Sequence, residues 1–170
     1  MTRSAYRIHG PSAPVAMLAG QIHQESAWQP QARSRVGAEG LAQFMPGTAA
    51  DMAARFPADC APANPFSPAW AFVCRDRYMA GLRRQLQSQG SGLGECARWV
   101  FALRAYNGGM GWVIRDRRKA SAAGADADDW IIVQGFNAGR SAANFRENTE
   151  YAPRILRLQE RYRGWGAEAC

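Results

Sequence analysis

Residues Leu18 to Thr48 read LAGQIHQESAWQPQARSRVGAEGLAQFMPGT, and the rest of the chain is organised around them. The stretch opens as an amphipathic helix. Val15, Leu18, Ala19 and Ile22 fall at the i, i+3, i+4, i+7 spacing of one apolar face. Ser12 and Pro14 stand in front as a cap and a first helical position. One step beyond Ile22 along the same row comes Glu25. A carboxylate on the buried side of a helix end is costly unless something pairs with it or uses it. After Ser26 the helical pattern stops, and Pro30, Gly37 and Gly40 punctuate a loop. A second apolar patch follows at Leu41, Ala42, Phe44 and Met45, and Pro46-Gly47-Thr48 opens another helix.

Outward from this stretch, helices dominate and no run alternates with period two. Residues 1 to 11 read as an irregular lead-in. Residues 13 to 26 form the helix that carries Glu25, and a short helix runs from about Thr48 to Phe56. Residues 57 to 68 hold four prolines and read as a surface connection. Ser67-Pro68 caps a helix to about Gln87, with Ala71, Cys74, Tyr78, Leu82 and Leu86 inward. Gly90 to Gly94 is a break. Residues 95 to 106 form a helix with Cys96, Trp99, Val100 and Leu103 inward, stopped by Asn107-Gly108-Gly109. A short helix is expected over 110 to 119 and a polar loop over 120 to 129; Trp130 to Val133 suits helix or strand equally. The last helix is expected from Thr149 to about Arg163, with Tyr151, Ile155, Leu158 and Tyr162 on one face.

A chain of 170 residues is read as one domain, residues 1 to 170, long enough to bury a proper core. The opening MTRSAYRIHG lacks an apolar signal core, and no run is long enough to span a bilayer. The net charge of +7, with 21 Lys plus Arg against 14 Asp plus Glu, favours a polyanionic partner without choosing among wall, membrane surface and nucleic acid. Cys60, Cys74, Cys96 and Cys170 form no C-x-x-C pair, and His9 and His23 are the only histidines, so no metal site is expected. Cys60 and Cys74 flank the Pro-rich insert; a bridge and two free thiols both remain open, as does the state of Cys96 and Cys170.

Three segments now carry a resemblance. Glu25-Ser26 followed by Gly40-Leu41-Ala42-Gln43 and Met45-Pro46-Gly47-Thr48-Ala49, then Ala105-Tyr106-Asn107-Gly108-Gly109, then Arg146-Glu147-Asn148-Thr149-Glu150-Tyr151, resemble in order the motifs of the soluble lytic transglycosylases. That family is a goose-type-lysozyme-like group that cleaves the glycan strands of peptidoglycan. The resemblance spans about Ala16 to Tyr162. It implies a mainly α, lysozyme-like fold with little or no β-sheet, and a peptidoglycan substrate with no cofactor.

Glycosidic cleavage needs an acid for the leaving oxygen and something to stabilise an oxocarbenium-like centre. Glu25 is the candidate acid. To hold its proton at neutral pH it needs an apolar, poorly solvated setting, which Phe44, Met45 and Tyr106 are expected to supply. A hydrolase adds a second carboxylate. The family resembled here manages with one glutamate, acid first and then base toward the muramic acid 6-hydroxyl, while the substrate's N-acetyl group stabilises the intermediate. Glu39 is the rival second carboxylate; a loop glutamate is more often simply solvated. The resemblance further implies that Ser26 orients the backbone beside Glu25. It puts Ser34 near a sugar N-acetyl group, Gln43 and Met45 on a groove floor, and Tyr106 toward acid and sugar. Asn107 supports that turn, and Glu147 and Tyr151 close the far wall. Ala42 departs from the family's usual Met, a loss of bulk rather than of proton chemistry.

His23, two residues before Glu25, points elsewhere on the helix. Gly108-Gly109-Met110-Gly111 follows a helix and lacks a closing Lys-Ser/Thr, so it reads as a helix-ending turn rather than a phosphate loop. Arg115, Arg117, Arg118 and Lys119 read as a solvated basic face, and no nucleic-acid partner is expected. The expected protein is a monomeric transglycosylase, and the setting expected for a compact wall-cleaving domain of this type is a phage-encoded lysin acting on the host periplasmic wall. The alternatives are a hydrolase working through Glu39 and a non-catalytic glycan-binding module.

Overall fold

The computed structural model describes residues 1–88 and 92–170. Of the break expected at Gly90 to Gly94, Gly90 and Ser91 lie outside the described residues, and Gly92 to Gly94 carry no regular structure. The described residues form helices α1 (Thr2–His9), α2 (Val15–Ser26), α3 (Pro46–Arg55), α4 (Pro57–Cys60), α5 (Pro68–Gln87), α6 (Glu95–Gly108), α7 (Met110–Ala122), α8 (Trp130–Val133) and α9 (Ala142–Gln159), then a 3-10 turn over Glu160–Trp165. Among them, extended pairing is limited to isolated bridges from Glu39 to Arg33 and to Phe44. The mainly α expectation therefore holds.

The chain gathers into two compact units, Met1–Ala80 with Ile155–Glu168, and Gly81–Arg154 with Ala169–Cys170. Helices α5 and α9 each contribute to both.

In the first unit α2 is the core element. Val15 through Ile22 are all buried, Gln21 included, so the helix is enclosed on every side for two turns rather than on one stripe. Each large side chain among them contributes about 1.5–3 kcal/mol by leaving water. Pro14 is the residue before the helix rather than its first turn, and no side chain caps it. Around the far end of α2, Ile22 packs with Leu41, Ala42, Phe44, Met52, Trp70 and the Cys60–Cys74 disulfide, with Trp28, Phe56, Phe72 and Tyr78 against them. The lead-in is in fact helix α1. Ser4 and Ala5 face inward, and the Ser4 hydroxyl donates to Asp76 Oδ2 at 2.6 Å. Asp76 is fully buried beside Arg75, whose Nε lies 2.9 Å from Asp76 Oδ1 and whose Nη1 donates to Leu18 O at 2.7 Å. Burial pulls the Asp76 carboxyl upward, but Arg75, with His9 and Ser4, outweighs it and holds the group below its ordinary value.

In the second unit α6 is buried from Trp99 to Ala105 and packs on α7. The Cys96–Cys170 disulfide closes this unit. Residues Trp130 to Val133 resolve as one helical turn, because the Asp129 side chain accepts from Ile131 N and Ile132 N. The last helix starts seven residues before the expected Thr149 and gives way to the 3-10 turn after Gln159, short of Arg163. α7 likewise runs on to Ala122.

Candidate active site

Glu25 sits in the last turn of α2, half-buried. The helix ends there because Ala27 and Trp28 adopt left-handed backbone, φ +48° and +65°, and the Ala27 N–H closes on His23 O. For a residue as bulky as Trp that backbone is strained. It is held from outside: Trp28 Nε1 donates to the Tyr162 hydroxyl at 2.7 Å, which also meets His23 Nδ1 at 2.7 Å, and the indole packs on Trp165. His23 is thereby engaged on a different side of the helix from the one that Glu25 continues.

Ser26 is the joint between the two halves of the opening stretch. It is buried, and its hydroxyl lies 3.2 Å from Ile22 O and 3.0 Å from Leu41 O. The loop beyond is stitched to itself. Glu39 and Phe44 exchange both backbone hydrogen bonds, and Gly40 N donates to Ala32 O at 2.9 Å. Gly40 has φ +74°, and a Cβ there would fall 1.8 Å from Pro65 O, so no side chain fits. Gln43 is also left-handed, at +49°, and its amide donates to Gly40 O at 2.9 Å. The Ser34 hydroxyl accepts from Ala38 N at 2.9 Å and shapes the turn at the loop tip. Glu39 is bound to Arg33, carboxylate to guanidinium, at 2.7 Å. Phe44 turns into the core against Trp70 and Tyr78, whereas Met45 precedes α3 and is 44% exposed. The two were expected to share one apolar setting, but Met45 is extended, φ −65° and ψ 143°, and successive side chains along extended chain point to opposite sides.

The second unit holds the other expected positions. Tyr106 is half-buried and Asn107 exposed at the end of α6; Glu147 is exposed and Tyr151 buried on α9. Asn107 and Glu147 line one cavity of about 440 Å³. The tie between the two motifs runs through Asn148, whose amide nitrogen donates to Arg104 O at 2.8 Å and to Asn107 Oδ1 at 3.0 Å. Gly108 makes room for it, since a Cβ there would meet that nitrogen at 2.4 Å. Arg140 Nη1 donates to Asn148 Oδ1 at 2.8 Å, and Asp116 receives both Arg104 and Arg140. Burial, answered by Asp116 and aggravated by Arg140, lowers the Arg104 guanidinium to about 10.

Sequence reasoning gave Asn148 no role and missed Arg104, Asp116 and Arg140. The signal was present: Arg104 stands four residues after Val100, and Asp116 stands three after Val113 and four before Ala120, all on inward rows. Charge on an apolar row marks a buried polar cluster. Among the described residues, no three His, Cys, Asp or Glu side chains are placed to hold a metal ion.

A mainly helical, lysozyme-like domain with a glutamate at the end of its buried helix defines the class. The chain matches the Transglycosylase SLT domain over residues 7–128 and belongs to that family. It is 32% identical over 143 residues to the membrane-bound lytic murein transglycosylase F of Ectopseudomonas mendocina, covering 84% of this chain and 27% of that protein. To the enzyme of the same name from Pseudomonas fluorescens it is 30% identical over 135 residues, 79% of this chain and 26% of that one. The chain thus spans about a quarter of the length of these relatives. Its fold is that of the 70 kDa soluble lytic transglycosylase of Escherichia coli, with TM-score 0.67, 24% identity, and coverage of 98% of this chain and 25% of that one. The complex of a 70 kDa soluble lytic transglycosylase with bulgecin A aligns at TM-score 0.69 and 24% identity, covering 99% of this chain and 25% of that one. Among the described residues, no helix is long and apolar enough to cross a membrane.

Proposed function

We propose that this chain cleaves the MurNAc–GlcNAc β-1,4 bond of peptidoglycan without water, leaving a 1,6-anhydro-MurNAc end, with Glu25 as its one general acid and base. The carrying observation is the seat of Glu25. A half-buried carboxyl group ends a helix buried from Val15 to Ile22, and the next residue, Ser26, is hydrogen-bonded to Leu41 in the adjoining motif. The Glu25 proton passes to the bridging oxygen, which leaves as the GlcNAc 4-hydroxyl. The substrate's N-acetyl oxygen then holds the anomeric carbon. Glu25, now a carboxylate, takes the proton from the muramic 6-hydroxyl as O6 attacks C1, and the enzyme returns to its starting state. Ser34, Gln43, Met45, Tyr106, Asn107, Glu147 and Tyr151 are proposed to line the substrate's path.

The rival chemistry is hydrolysis through Glu39. The ion pair with Arg33 favours the single-carboxylate route, because the guanidinium engages a Glu39 oxygen that a second catalytic carboxylate would need free. Digestion of purified sacculi followed by mass analysis of the muropeptides separates the two, since anhydro ends are one water lighter than reducing ends. Mainly reducing ends would overturn the proposal in favour of hydrolysis. Wall binding with no product at all would make the chain a glycan-binding module.

The proposed setting is the periplasmic wall. Two disulfides suit an oxidising compartment, and the positive charge suits an anionic polymer. A phage-encoded lysin would meet its substrate in that same compartment, and we propose that this monomeric domain acts there. Light scattering on the purified protein tests the monomer.

A further inference from the structure

We propose that the cavity of the second unit is a carboxylate-binding subsite for the murein strand, a step that rests on peptidoglycan being the substrate. The cavity of about 440 Å³ is lined by Asn107, Trp112, Arg140, Ser141, Asn144 and Glu147 among others. Arg140 is the unusual member. Its side chain is only 4% exposed, yet it belongs to a charged group that does not balance. Arg104 and Arg140 share Asp116, the one acid ion-paired with either among the described residues. Two guanidinium groups against one carboxylate leave a charge of +1 inside the unit. Arg140 Nε is buried with no hydrogen-bond partner, and so is Arg104 Nη1. Uncompensated buried charge is expensive, and an anion brought alongside it is correspondingly well bound. Burial lowers the Arg104 guanidinium first, Arg140 beside it lowers it further, and Asp116 does not offset the two.

The surroundings set the class of anion. Trp112 has the Arg115 guanidinium 3.8 Å from its ring centre and that of Arg140 at 5.2 Å, so the aromatic wall is flanked by positive charge. Asn107, Ser141 and Asn144 offer amides and a hydroxyl, and no metal-binding group of three acids or histidines is present among the described residues. Glu147 is the one acid lining the cavity, and it is exposed. It disfavours a dense anion such as phosphate more than a single carboxylate whose neighbours carry N–H groups. In murein the sugar rings themselves are uncharged. Carboxylates come from two places, the stem peptide and the lactyl group of muramic acid after the peptide has been removed. Both present a carboxylate beside an amide or ether, and both fit.

The test is calorimetric titration of the Glu25→Gln protein with three soluble fragments. They are a disaccharide-peptide, the same disaccharide with a free lactyl carboxylate, and that disaccharide with the lactyl group amidated. The expected result is at least tenfold weaker binding of the amidated fragment than of one of the other two. The fragment that binds tighter identifies the source of the carboxylate. Asn144→Asp, an exposed change that adds negative charge to the lining, is expected to erase the preference for the carboxylate-bearing fragment. Arg140→Gln should do the same where the protein still melts cooperatively. Equal binding of all three fragments, or a preference that survives Asn144→Asp, overturns the proposal. Sacculus cleavage by the unmodified protein is read in parallel. Cleavage without carboxylate preference strikes the cavity alone, and preference without cleavage strikes the activity alone.

Discussion

Ser26 has one hydroxyl proton and two carbonyl oxygens within reach, Ile22 O and Leu41 O. That shared bond fastens the end of α2 to the loop 15 residues on. Ser26→Ala should cost about 1–2 kcal/mol of stability in a denaturant titration, because the Leu41 carbonyl loses its partner in a buried place. Its effect on turnover should exceed that, as the adjacent Glu25 loses its fixed seat. Glu25→Gln removes the proton donor while keeping the shape. Product release from sacculi is expected to fall by about 10²–10⁴-fold with the melting temperature little changed; activity within tenfold of the parent would place the acid elsewhere. Gly40→Ala faces both a positive φ and the Pro65 carbonyl, and should destabilise by at least about 3 kcal/mol or prevent folding.

Among elements, α2 was the most legible from sequence, yet for an incomplete reason. The apolar row at Val15, Leu18, Ala19 and Ile22 marked the helix, but Gln21 is equally buried, because Arg75 reaches it at 3.2 Å. Periodicity reports which side chains are apolar and is silent about polar ones with buried partners. That silence hid α1, whose inward Ser4 bonds to Asp76, and the first turns of α9, which bring Asn148 to Arg104. The positions of the candidate site were legible as motifs along the chain. The contacts that fix them were not, since Leu41 and Asn148 act through atoms that no propensity describes. Asn148→Ala should leave the Arg104 carbonyl and the Arg140 guanidinium short of a partner and cost about 2–3 kcal/mol. The Arg75–Asp76 pair gives the fold an acid limit. With Asp76 held below its ordinary value, its charged form stabilises the native state fully above about pH 3.9. That stabilisation drains away as pH falls through the lower native value. Asp76→Asn should flatten the acid limb of a melting-temperature profile and, by stranding Arg75, cost about 3–5 kcal/mol.

For the molecule as a whole, a net charge of +7 governs encounter rather than folding. Retention on purified sacculi should weaken steadily as salt rises from about 0.05 to 0.5 M, where screening lengths fall to a few ångströms. Binding unaffected by salt would shift the weight to the cavities and aromatic surfaces. The two disulfides act on the unfolded chain. With a sequence separation of 14, Cys60–Cys74 is expected to contribute about 3 kcal/mol, and Cys96–Cys170, at a separation of 74, about 4.5 kcal/mol. Replacing Cys96 and Cys170 with Ser should therefore lower the melting temperature more than replacing Cys60 and Cys74.

The sulfur of Cys170 is bonded back to that of Cys96. Residues 96 to 170 thus form a covalent ring. A protease that nicks the exposed stretch around Ala122 to Gly124 opens the ring without releasing a fragment. Such a molecule should migrate as one species on a non-reducing gel and fall into two when thiol is added.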